Sequence, residues 1–362
     1  MIKIMPWQIS IPIFLLAAAA ALAQDAPQAA EQRYEAQYSV EAIDDATFYG
    51  GLREPLPSTM NQLLLEPSFS LRRRDRWNLS ASLIGQAGSY ADNFTRLRVR
   101  DIYTGLSAGD FDFTLGRKLT RWSTGYAFSP AGVLDPPRTP TDPTDRLNVN
   151  QGRDMVKADW VRGPHALSLV WSSAALAPAQ AKLHDTTAFR YNVLVREFDT
   201  SLIAGDDRGG DAFGALTFTR VFGQAWETHG EAVWREHPAL LLGAKCTVAG
   251  ITFIGEFYTP PNTPYYRDTS ISALAGRQHY VFLHVEKPRL RELPGWKQWD
   301  LAAYAVANLD DHGSTTVLDL SRWIGNHFSV YAHTEVPAGS HTSEYGSAPY
   351  STATSVGVRF QL

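Results

Sequence analysis

The sequence predicts an all-β chain that closes into one transmembrane antiparallel β-barrel of about 18 strands, 16 being the alternative count, with short periplasmic turns and long extracellular loops. Three observations predict it. About eighteen segments show period-two alternation or β-branched and aromatic enrichment, each bounded by Gly, Pro, Asn or Asp. The connections between them alternate between tight and long. Aromatic residues make up 12% and charged residues only 19% of the chain, and the mean hydropathy is -0.22. Past the N-terminus no run approaches the roughly 18 apolar residues that a spanning helix needs.

The N-terminus reads as a secretory signal over 1–23. Lys3 supplies the positive charge, Ile9 to Ala20 the apolar stretch, and Ala21-Leu22-Ala23 a small-residue cleavage site before Gln24. Residues 24–32 form a disordered leader and the barrel occupies 33–362 as a single domain, with no repeat, linker or charge block to divide it. The full chain carries 33 basic and 37 acidic residues, a formal net charge of -4. That weakly acidic balance offers no basic footprint for nucleic acid. The single cysteine, Cys246, excludes an intrachain disulfide and sits in an apparent strand as a buried or lipid-facing thiol.

In chain order the expected strand cores are 33–43, 61–71, 76–86, 95–105, 110–120, 153–162, 165–174, 187–196, 198–204, 211–221, 225–235, 240–247, 250–258, 277–286, 297–307, 314–323, 327–335 and 353–362. The even-numbered connections are mostly tight, among them Gly163-Pro164 and Ala249. The odd-numbered ones include the long ones: Asp44 to Met60, Arg121 to Gly152, Ala175 to Thr186, Thr259 to Gly276 and Val336 to Thr352. This parity puts both chain ends on the short-turn side, as an even-stranded barrel requires. The one long connection on that side is Lys287 to Trp296, with two prolines.

Alternation assigns faces. In Thr95–Arg100 the residues Arg96, Arg98 and Arg100 share one face and Leu97 and Val99 the other. A charge near the midplane of the lipid face costs about 2 to 4 kcal/mol, so the arginines are expected in the lumen. The same argument turns Lys157 and Asp159 inward against Val156, Ala158 and Trp160, and Arg190 and Asn192 inward against Phe189, Tyr191, Val193 and Val195. It also turns Glu227, His229, Glu231 and Arg235 inward against Trp226, Gly230, Ala232 and Trp234. Asp112, Asp300 and Asp319 join the inner set. This mixture of signs suits either ion pairs bracing a wide wall or a transverse field that sorts ions. Arg117 falls in phase with Phe113, Leu115 and Leu119, and a bulge near Gly116 is expected to turn it into the lumen.

Trp77, Tyr103, Trp122, Trp160, Trp171, Trp226, Trp234, Tyr258, Trp296, Trp299, Trp323 and Tyr331 recur near strand ends, as two interfacial aromatic girdles would require. The last segment alternates Val356, Val358, Phe360 and Leu362 with Ser355, Gly357, Arg359 and Gln361. It resembles the C-terminal signal by which outer-membrane barrels are recognised for assembly, with Leu362 in place of the usual Phe or Trp.

The segment Leu115-Gly-Arg-Lys-Leu-Thr-Arg-Trp122, followed by Gly125, Phe128-Ser-Pro130, Leu134-Asp-Pro136 and Asp142-Pro143, resembles a pattern in Gram-negative porin-like barrels of the alginate-export type and related uncharacterised outer-membrane proteins. There a strand ending Leu-Gly-Arg leads through a Trp-Gly element into a long Pro-containing loop. The likeness covers roughly fifty residues. It implies an outer-membrane location and a channel.

That long connection has its own chemistry. Pro130, Pro136, Pro137, Pro140 and Pro143 fix φ and remove donors, so the segment is stiff and adds no strand. It carries Arg121, Arg138, Arg146 and Arg153 against Asp135, Asp142 and Asp145, and is expected either to fold into the lumen and narrow it or to cap the surface. The ten histidines show no H-E-x-x-H spacing, and there is no G-x-S-x-G or P-loop, so no catalytic residue, metal or cofactor is assigned.

The expected function is passive diffusion of small polar or charged solutes through a mixed-charge lumen. The alternative is a closed structural or surface-binding barrel for polysaccharide export or attachment, and behind it a barrel enzyme. The implied partners are outer-membrane lipid and lipopolysaccharide, the assembly machinery and small solutes, and no nucleic acid.

Overall fold

A computed structural model describes residues 34–53, 57–73, 76–136, 138–147, 149–173, 185–207, 212–235, 238–259, 279–290 and 295–362. The expected signal, the leader, and most of the connections 175–186 and 259–276 lie outside the described residues.

The strands are β1 (Glu35–Gly50), β2 (Thr59–Arg73), β3 (Trp77–Ser89), β4 (Asn93–Ala108), β5 (Phe111–Lys118), β6 (Arg153–Arg162), β7 (His165–Ser172), β8 (Thr186–Val195), β9 (Phe198–Asp207), β10 (Ala212–Phe222), β11 (Trp226–Trp234), β12 (Ala239–Val248), β13 (Ile251–Thr259), β14 (Tyr280–Lys287), β15 (Trp299–Asn308), β16 (Ser314–Ile324), β17 (Phe328–Ala338) and β18 (Thr352–Gln361). Each pairs antiparallel with its sequence neighbours in one 18-stranded sheet, and β1 pairs with β18 to close it. Ala42 faces Phe360 and Gly50 faces Thr352 across the seam. Closure leaves the paired strands no free edge, which is what a β-sheet needs in a medium without water. Among the described residues no helix is long and apolar enough to cross a membrane.

The outer face carries a band of large apolar side chains: Leu97 is 76% exposed, and Leu115, Leu169, Leu202, Leu283 and Val358 are also exposed. The inner face alternates with it and is largely buried, because something fills it. One apolar cluster joins Val170, Ile203, Phe213, Leu241, Phe282 and Val306 of the wall to Trp122, Phe128 and Leu134 of the β5–β6 connection. A second joins Ile43, Leu64 and Ile84 to Leu147 and Val149 of the same connection.

Three expectations are corrected. First, β1 runs on to Gly50, so the connection to β2 is 51–58 and not 44–60. Asp44-Asp45 reads as turn punctuation, but Asp45 is buried at 1% exposure and has partners on the inner face. Second, the girdle set loses members. Trp122 is buried in the β5–β6 connection. Tyr103, Tyr258, Trp323 and Tyr331 share register positions with inward residues such as Ser80, Leu241, Ser329 and Gly357, because a ring near a strand end follows the pleat.

Third, Arg117 does not turn inward. The ladder passes through Gly116 in step, with Tyr103 and Met155 opposite, so alternation keeps Arg117 beside Leu115, opposite the exposed Ile102. The register shift of this region lies instead on the β3–β4 pair at Ser82/Leu83, where Arg100 is the unmatched residue.

Candidate functional site

The 34 residues between β5 and β6 are the longest connection among the described residues, and their contacts place them inside the barrel. They touch β11, β13, β15, β17, β18 and β1, strands spread around the circumference. Only a segment within the lumen reaches all of them.

The loop is built outward from its own hinges. Leu119 N–H donates to the Asp101 carboxylate of β4, and Gly152 N–H returns to Arg100 O at 2.9 Å, so entry and exit are fixed to one strand. Within the loop Asp135 accepts from Trp122 N–H at 2.6 Å and Ser123 N–H at 3.3 Å, drawing two arms together. Burial raises Asp135 to about 6, against those amides and the nearby Arg138 charge. Burial likewise lowers Arg138, whose guanidinium donates to Tyr126 O at 2.7 Å, and raises Asp142, which accepts from Arg146 N–H.

Wall carboxylates then hold the loop. Glu231 accepts from Ser123 Oγ at 2.7 Å, Gly125 N–H at 3.2 Å, Ala131 N–H at 2.8 Å and Thr124 N–H. Glu256 accepts from Ala127 N–H at 2.9 Å and Tyr126 N–H, with His229 Nε2 at 2.9 Å. Farther round, Tyr304 Oη donates to Thr141 O at 3.0 Å. Arg146 pairs with Asp45 at 2.6 Å and stacks over Tyr331 at 5.0 Å, and Tyr331 Oη donates to Asp45 at 2.7 Å. Burial works against the Arg146 charge, yet Tyr331, Asp45 and Asp142 leave its pKa raised.

The other candidate residues divide into groups. Arg100 pairs with Glu66 at 2.8 Å, while Arg96 is exposed over Phe94 and Arg98 lies opposite Ile84. Lys157 pairs with Asp159 at 2.8 Å. Arg190 donates to Ser201 Oγ at 3.0 Å and reaches the loop by stacking over Trp122. Glu227 accepts from Tyr126 Oη at 3.1 Å. Asp112, bonded by Ser107, stands at the short-turn end. There a cavity of about 520 Å³ is lined by Asp112, Asp159, Lys118, Arg72 and Asn78. Arg121 is exposed on the loop, and Asp145 accepts from the amides of Val149 and Asn150. Arg117 pairs with Asp154 at 2.6 Å on the outer face, away from all of these.

Sequence reasoning missed Asp45, Glu66, Glu256, Tyr304 and Tyr331. Glu256 had a signal: in Ile251–Thr259 it is the one charge, in phase with Ile254 and Tyr258. Among the described residues no group of three or more His, Cys, Asp and Glu could hold a metal ion.

No protein-family model matches the sequence, and no curated protein matches it. Solved structures do. Pseudomonas aeruginosa OccK5 (OpdH) superposes with a TM-score of 0.61 at 8% identity, covering 91% of this chain and 98% of that one. Pseudomonas aeruginosa OccK11 (OpdR) gives 0.62 at 11%, covering 90% and 96%. A triple mutant of Rhodopseudomonas blastica porin gives 0.53 at 10%, covering 91% and 100%. At such identities the likeness establishes the barrel fold.

Proposed function

We propose that the chain is an outer-membrane channel through which small polar or charged solutes diffuse passively. The observation that carries this reading is the closed 18-stranded barrel whose longest connection, 119–152, is folded against the inner wall. A lumen is of use to a solute only where a polar path crosses it, and this reading assigns that path to the charged residues Arg96, Arg98, Arg100, Lys157, Asp159, Arg190 and Glu227. The loop narrows the path and its charges Arg121, Asp135, Arg138, Asp142, Asp145 and Arg146 contribute to the field there. The likeness in fold to barrels called porins supports the class, without extending to their solutes. The surrounding lipid and lipopolysaccharide, and assembly through β18, belong to the same reading.

The narrower likeness, to alginate-export-type barrels, rests on the 115–143 motif. A second reading is favoured by one observation: Trp122, Phe128 and Leu134 join one buried apolar cluster with wall residues. That is how a plug is sealed, and it suits a closed barrel that organises surface polysaccharide.

Swelling of proteoliposomes in isotonic solutes of rising size separates the two. The channel reading expects swelling with small sugars and amino acids that falls off steeply with size. Proteoliposomes with correctly inserted protein that swell with no solute contradict it.

A further inference from the structure

Three inner-wall carboxylates face the loop and not the open lumen. Asp45, Glu231 and Glu256 are 1%, 1% and 3% exposed. Each accepts several donors of the β5–β6 connection or of the wall beside it. Glu231 takes loop amides at Thr124, Gly125 and Ala131, Glu256 those at Tyr126 and Ala127, and Asp45 the Arg146 guanidinium. A carboxylate has two oxygens with about four acceptor sites, and donors that fill them leave nothing to offer a passing ion. Charges that remain accessible are different: the Glu227 side chain is 26% exposed, accepts from the Tyr126 hydroxyl of the loop and has His229 Nδ1 at 3.9 Å.

We propose that Asp45, Glu231 and Glu256 are positioning residues that fix the bore of the channel by clamping the loop, and that they do not sort ions. The inference rests on the channel reading for its consequence and on the hydrogen bonds for its cause. The donors explain why the clamp is at the wall. Five of them are backbone N–H groups of 124–131, a stretch with Gly125 and Pro130 that makes no ladder of its own, so its amides would otherwise be buried unpaired beside Leu241 and Tyr258. Both methyls of Leu241 on the wall stand 3.2 Å from where a Gly125 Cβ would be, so the loop backbone lies directly on the wall. The charge of each clamp is met by dipoles or by Arg146, and what passes to the lumen is a position and not a field.

The test uses the full chain in detergent and in planar bilayers, with Glu231→Gln, Glu256→Gln and Asp45→Asn, and Glu227→Gln as control. Hydrogen exchange reads the amides of 122–131, and single-channel recordings in a salt gradient read conductance and reversal potential. Loss of one charge-assisted bond corresponds to about tenfold faster exchange. The first two clamp variants are expected to show it at 122–131, and Asp45→Asn at Arg146 to Val149. Glu231→Gln and Glu256→Gln are expected to conduct at several fluctuating levels with the reversal potential of the parent, while Asp45→Asn, which takes the carboxylate from Arg146, is read by its exchange. Glu227→Gln is expected to shift the reversal potential and leave the amides protected. If Gln blocks assembly, Glu231→Asp keeps the charge at a shorter reach and is expected to give a smaller rise in exchange. Unchanged exchange in the clamp variants, or a shifted reversal potential at a steady conductance, overturns the proposal. Exchange raised in the clamp variants over the parent, with neither parent nor variants ever conducting, upholds the clamp and contradicts the channel reading.

Discussion

At the scale of single residues, the outer face carries two kinds of charge. Asp44 stands exposed opposite Val358 and Leu63, on the apolar band. Asp44→Leu is expected to stabilise the barrel by about 1 kcal/mol, as a carboxylate on a lipid face costs less than a basic group. Urea unfolding from lipid vesicles checks this. Arg117 and Asp154 form a pair instead, and Arg117→Leu alone is expected to cost about 2 kcal/mol, with Asp154→Leu added restoring most of it, since removing one partner strands the other. Asp135 titrates inside the loop, and its sign follows from its raised value. The folded chain holds a proton between about pH 4 and about 6 that the unfolded chain releases, so its contribution is full below about pH 4 and lost as the pH rises through about 6. Melting in detergent at pH 4 and pH 7 is therefore expected to favour the parent over Asp135→Asn at the lower pH.

At the scale of elements, the seam between β17, β18 and β1 is the most tightly specified. A Cβ on Gly357 would stand 2.3 Å from Tyr331 Oη and 2.7 Å from Asp44 O, so the Tyr331 ring lies across the glycine and carries its hydroxyl to Asp45. Gly357→Val is expected to cost about 1 to 3 kcal/mol by overpacking, read as lower folding yield and a lost heat-resistant band. Strand elements were legible because alternation is local: Leu97 against Arg96 and Arg98 needs no knowledge of the partner strand. The exceptions are instructive. Asp44-Asp45 looks like a turn because the donors that satisfy Asp45, Arg146 and Tyr331, are about 100 and 286 positions away. Arg117 follows the simple alternation: Gly116 takes a positive φ of 121° but keeps the ladder in step, and the register shift is at Arg100, where no glycine marks it. Trp122 has the same composition signal as a girdle tryptophan, and only tertiary packing separates them.

At the scale of the whole molecule, closure and filling are separate achievements. Closure follows from strand count and parity, and the barrels of similar shape differ from this chain at about nine residues in ten. Filling depends on which wall residues the 119–152 loop meets, and the loop's prolines say only that it is stiff. The partners of that loop come from strands all round the wall, from β1 and β4 to β8, β11, β13, β15, β17 and β18, which is why its placement could not be read from the fifty residues of its own motif. The wall supplies carboxylates where the loop presents amides and apolar side chains where it presents Trp122 and Phe128, so loop and barrel fold as one body.

The most direct measurement is single-channel conductance of the refolded protein in a planar bilayer, beside a variant lacking residues 130–148 whose insertion is verified. The account predicts a steady conductance in the parent that rises in the variant, because the deletion removes the lumenal segment that holds Ala131, a donor to Glu231, and Arg146, the partner of Asp45. A parent and a variant that are both silent, or that conduct equally, would contradict it.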